Sequence, residues 1–114
     1  MDRISEQRIF PRFHYSIPIK YCPKNNTASI YTVTRDISVG GLKILTHSFL
    51  PRGTNVSVEV KVPSSSGVVN ALASVVWSNR ISHSEQYLSG LRFSEIEDRD
   101  KKNISDLVNY AFKH

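Results

Sequence analysis

The chain has one cysteine, Cys22, among its 114 residues, so no disulfide can form within it. Its four histidines, His14, His47, His83 and His114, stand far apart, and with a single thiol beside them they offer no zinc-ligand spacing. No stretch approaches the roughly 20 consecutive apolar residues that a bilayer-spanning helix needs. Met1-Asp2-Arg3 opens without the apolar run of a secretion signal, which makes the cytoplasm the expected compartment. A catalytic set is missing too: Ser38 has no histidine near it in sequence, and Cys22, which precedes a proline, reads as structural. Neither an enzyme nor a resident cofactor or metal is expected, and no internal repeat is visible.

What is present suits one domain with one core. The apolar share of 39% and charged share of 22% are ordinary for a globular protein. A net charge of +5, from 15 basic against 10 acidic side chains, leans toward anionic partners. That lean suits a small phosphodiester and is compatible with RNA; no DNA is expected.

Apolar residues recur with a period of two in six stretches. From Phe13 to Tyr21 the odd positions are apolar, and Pro18 places this first strand at an edge or bulge. The second runs from about Ala28 to Arg35 and the third from Leu42 to Thr46. In the fourth, Val56, Val58, Val60 and Val62 alternate with Ser57, Glu59 and Lys61. The fifth, Val68 to Ser78, carries Ala71, Ala73, Val75 and Trp77 in one phase, which reads Trp77 as core or rim packing. The sixth is Tyr87 to Phe93. From about Asp98 the period becomes helical, with Ile104, Leu107, Val108, Ala111 and Phe112 on one stripe. The expected fold is all-β: a six-stranded antiparallel β-barrel, closed or nearly closed because closure removes exposed edges, with a C-terminal α-helix packed on it.

Two short polar clusters stand out. Asp36-Ile37-Ser38-Val39-Gly40-Gly41 lies between two strand stretches, where a carboxylate, a hydroxyl and two residues tolerant of positive φ let the chain turn sharply. Taken alone, such a cluster is usually just a turn. Upstream, Arg8 and Arg12 are four apart with Pro11 between them. Proline disfavours helix in the residue before it, and in an extended chain positions four apart face the same way. Two guanidinium forks can then close around an anion or lie flat on a purine. Residues 1–12, polar apart from Ile4, Ile9 and Phe10, are expected to form a flexible arm carrying this pair, and residues 13–114 the folded domain.

Together and in this order, Arg8-x-x-x-Arg12 and Asp36-x-Ser38-x-x-Gly41 resemble the two signature motifs of the PilZ domain family. The resemblance covers nearly the whole chain, including Gly90-Leu91-Arg92-Phe93 near the last strand and the terminal helix. It implies a PilZ-type barrel that binds cyclic di-GMP, and a protein that changes its surface on binding and meets an unidentified downstream partner in motility, exopolysaccharide or biofilm control. It also implies the contacts. Arg8 and Arg12 would grip phosphate and guanine, whose N7 and O6 match one guanidinium fork. Asp36 would accept from the ring N–H and amino group of guanine, and Ser38 would bond a phosphate or a base edge. Gly41, with Gly40, would keep the backbone clear for close approach. Arg35 is open between a ligand contact and the outer face. Two binding alternatives remain: a basic barrel for single-stranded RNA, and a PilZ-fold interaction module that does not bind nucleotide.

Overall fold

A computed structural model describes residues 12–62 and 67–113. It contains strands β1 (Arg12–Pro23), β2 (Ile30–Ser38), β3 (Gly41–Thr46), β4 (Asn55–Lys61), β5 (Val68–Arg80) and β6 (Tyr87–Ile96), then helix α1 (Asp98–Lys113). The strands close into a barrel in the order β1-β2-β3-β6-β5-β4, with every neighbouring pair antiparallel. This is the all-β architecture expected, with its single C-terminal helix.

Alternation decides which side chains fill the barrel. Val56, Val58 and Val60 of β4 are buried, with Val62 just beyond it, and they meet Ile17, Ile19 and Tyr21 of β1 and Val69, Ala73 and Val75 of β5 in one core. α1 adds Ile104 and Leu107, both fully buried. Its first helical bond runs from the Lys101 N–H to the Glu97 carbonyl at 2.9 Å, and Asp98 and Asp100 in its first turn oppose the positive end of the helix dipole. The buried hydroxyls at the far end of β3 and β6 are paired, as buried polar groups must be: Ser89 Oγ lies 3.1 Å from Thr46 Oγ1 and 2.9 Å from Ser78 Oγ.

Cross-strand pairing accounts for the departures from the expected strands that matter most here. β2 continues to Ser38 instead of stopping at Arg35, because Asp36, Ile37 and Ser38 pair with Lys43, Leu42 and Gly41. β1 begins at Arg12, which pairs with Asp36 before an irregularity that ends at Ile17. Pro18 stands just outside the β1–β4 ladder, which starts at Ile19, so its missing N–H costs that ladder nothing. β5 is bulged between Val75 and Trp77, and Val76 is the extra residue there. The bulge breaks the phase that the sequence suggests for Trp77. Arg8 and the rest of residues 1–11 lie outside the described residues.

Candidate functional site

The Asp36 cluster is a tight β-hairpin, with Val39 and Gly40 as its two turn residues. Ser38 Oγ accepts from the Gly40 N–H at 3.2 Å, and the Gly40 carbonyl accepts from the Phe93 N–H at 2.9 Å. The turn is thereby tied to itself and to β6. Neither Gly40 nor Gly41 uses the positive φ that their residue type permits; among the described residues that conformation belongs to Gly53 and His83. Glycine is needed at 41 for space. A Cβ there would overlap the Leu91 carbonyl oxygen and sit 3.0 Å from Cα of Arg92, whereas at Gly40 it would meet only Ser38 Oγ, at 3.8 Å.

Cross-strand register assembles the rest. Asp36 pairs with Lys43, Lys43 with Gly90 and Gly90 with Trp77, so one row crosses four strands. Arg12 continues that row at its other end, opposite Asp36. Two residues along, Ser38, Gly41 and Arg92 form a second row, which the period of two places on the same outer face. The indole of Trp77 lies against Gly90 so closely that a Cβ there would be 2.5 Å from Cε2 and Nε1. Between the rows lies a cleft of about 410 Å³ lined by Asp36, Ser38, Gly41, Lys43, Trp77 and Arg92, among others. That volume is within the usual range for small-molecule sites. Its floor is apolar, from Ile37, Leu42 and Leu91, and Lys43 and Arg92 are exposed at its rim.

Of the residues singled out in the sequence, Asp36, Ser38, Gly40 and Gly41 line this cleft, with Arg12 in register beside Asp36. Arg35 is exposed and is not part of the lining; Arg8 lies outside the described residues. Sequence reasoning missed Lys43 and Trp77. The polar position of Lys43 between Leu42 and Ile44 marked it as outward-facing, but nothing local says that it stands beside Asp36. Trp77 was hidden by the bulge at Val76, which turns the indole out of the core.

Chemically, the cleft offers a carboxylate acceptor, a hydroxyl, two cations and an aromatic wall over an apolar floor. Such a set is chemically suited to a planar, donor-bearing, anionic ligand. The pattern also has a family: the PilZ domain model matches residues 6–110.

The chain belongs to the PilZ domain family.

The fold comparison agrees with this. The barrel is similar to the Bacillus subtilis inhibitor of motility MotI/DgrA, with 18% identity, a TM-score of 0.71, and coverage of 91% of this chain and 49% of that one. It is similar to K. pneumonia MrkH, with 17% identity, a TM-score of 0.77, and coverage of 93% and 48%. It also resembles the PilZ domain of Escherichia coli YcgR solved with c-di-GMP, with 13% identity, a TM-score of 0.67, and coverage of 91% and 88%. The chain spans about half the length of MotI/DgrA and MrkH. Identities this low carry likeness of fold alone. No curated protein matches the chain by sequence. PilZ domains are binding modules, not enzymes, and among the described residues no helix is long and apolar enough to cross a membrane.

Proposed function

We propose that this PilZ domain is a receptor for cyclic di-GMP and passes the binding event to a partner protein, in motility, exopolysaccharide or biofilm control. The observation that carries this reading is the register of Arg12 opposite Asp36. It brings the end of the arginine motif beside the start of the Asp-x-Ser-x-x-Gly motif, though the two are remote in sequence. The c-di-GMP held by the YcgR PilZ domain adds support from a similar fold.

In this reading Asp36 accepts from the ring N–H and exocyclic amine of guanine, a donor pair that adenine does not offer. Ser38 already accepts from the turn and can donate its own hydrogen to a phosphate oxygen. The guanidinium groups of Arg8 and Arg12 fork onto N7 and O6 of guanine or onto phosphate. Lys43 and Arg92 lower the electrostatic cost of bringing two phosphodiesters to the rim, and the indole of Trp77 supplies an aromatic wall. Binding draws the arm across the hairpin, and the changed surface is what a partner reads.

Titration calorimetry with cyclic di-GMP, a linear guanine dinucleotide and a short RNA tests the assignment. Saturable binding that prefers the cyclic ligand is expected; equal or stronger binding of RNA would overturn it. Amide hydrogen exchange tests the arm separately, since ligand should slow exchange between Gln7 and Phe13 more than in the barrel strands. Uniform slowing across the strands would rule out closure of the arm.

A further inference from the structure

The other large cleft lies at the opposite end of β2, beside Ser29, about 30 Å along the strand from Ser38 at the usual rise per residue. It has a volume of about 670 Å³ and shares no residue with the nucleotide cleft. Its charges are Glu59, Glu95, Glu97 and Asp100 against Lys20 and Arg99. A chain of net charge +5 is therefore locally acidic here.

Acidic clusters are common on helix starts, but Asp100 is unusual. It is 3% exposed, lines the cleft, and its Oδ1 is buried with no hydrogen-bond partner. A buried carboxylate oxygen without a donor is unfavourable, and native proteins rarely leave one. Among the described residues the cation within 4 Å of that oxygen is Arg99 Nε, at 3.9 Å, too far for a hydrogen bond and on a side chain that is 77% exposed. Arg99 Nη2 also hangs 3.9 Å from Glu97 Oε1. The chain's own guanidinium thus hovers at the mouth without seating. Beside the acids, Ala71, Leu72 and Ile96 supply apolar walls. A cationic head on an aliphatic stem fits such a lining: the stem lies along the walls while the head reaches the carboxylates. No trio of side chains among the described residues is placed to hold a metal ion.

We propose that this cleft is a docking site for an arginine or lysine side chain presented by a partner polypeptide, with Asp100 as its main acceptor and Glu95 and Glu97 as its rim. The site is separate from the nucleotide cleft, so one end of the barrel takes an anion while the other takes a cation from a protein.

Amide chemical-shift titration of the full chain tests it, with the blocked peptide acetyl-Gly-Arg-Gly-amide, its neutral citrulline counterpart, and spermidine as probes. The arginine peptide should give saturable shifts at Leu72 and from Glu95 to Lys101, and the citrulline peptide none. Asp100→Asn should weaken the arginine peptide by about tenfold, the scale of one charged hydrogen bond, and leave cyclic di-GMP titration unchanged. Arg99→Ala should leave peptide binding intact or strengthen it by removing a competitor. Should Asp100→Asn fail to fold, the exposed double variant Glu95→Gln/Glu97→Gln makes the same comparison with an expected loss of about threefold. Equal shifts from the citrulline peptide, unaltered affinity in these acidic-site variants, or loss of binding in Arg99→Ala would overturn the proposal. Tighter binding of spermidine than of the peptide would overturn the assignment to a polypeptide.

Discussion

The two clefts at the ends of β2 are built on different principles. The one at Ser38 is defined by missing atoms: Gly41 admits the Leu91 carbonyl, Gly90 admits the Trp77 indole, and the polar groups stand in two registered rows over an apolar floor. The one beside Ser29 is defined by charge, with carboxylates from β4, β6 and the start of α1 converging on a gap next to apolar walls. The larger of the two is the less constrained by backbone packing. The nucleotide site proposed above rests on the smaller cleft, where the motif residues pair across strands, and not on size. The contrast also shows how little a net charge of +5 says about any one site on this surface.

The sharpest way to break the comparison is at its glycines. Gly41→Ala should destabilise the domain by about 1–3 kcal/mol, the scale of an overpacked position, because the obstacle is backbone and cannot rotate away. Gly40→Ala should stay within about 0.5 kcal/mol of the parent, as surface substitutions usually do. Urea unfolding of both variants gives the answer, and equal losses would remove the steric argument for Gly41.

Next in size come the polar residues. Asp36→Ala should weaken cyclic di-GMP by at least about tenfold, the scale of one charged hydrogen bond, and reduce its preference over cyclic di-AMP. Arg8→Ala and Arg12→Ala should each weaken binding by a similar factor of about ten with little change in melting temperature. Equal binding of the two cyclic dinucleotides by the parent protein would contradict the role given to Asp36.

Trp77→Ala should lower stability by about 1–2 kcal/mol, less than the loss for a fully buried aromatic because the residue is only partly buried. It should also weaken cyclic di-GMP several-fold. A stability loss with unchanged affinity would make Trp77 a cover for Gly90 and no part of the ligand wall.

The smallest effect belongs to Tyr21, which is 2% exposed at the acidic end of the barrel. Burial raises its phenol pKa above the ordinary 10.0, partly offset by the His47 backbone. A folded-state pKa above the unfolded one means that the neutral phenol stabilises the fold. This contribution is complete below about pH 10 and is lost as pH rises through the folded-state value. Stability of the parent should fall more steeply above that pH than stability of Tyr21→Phe, as followed by chemical unfolding at several pH values.

Local chemistry made much of this protein legible in its sequence. The alternation of Val56 to Val62, the change to a helical period near Asp98 and the two polar motifs are carried by residues close together in the chain. They determined the strands, the helix and the family. Pairing between distant strands decided the rest. Whether Asp36 ends a strand or sits within one depends on Lys43 and Arg12 across the ladder, and whether Trp77 faces in or out depends on one extra residue at Val76. Gly41 reads as a turn glycine until the Leu91 carbonyl is seen where its side chain would be. The burial of Asp100 was equally invisible, because an aspartate in the first turn of a helix looks like an exposed cap. Only closure of the barrel against α1 determines that this side chain is buried at a cleft wall with one oxygen lacking a donor.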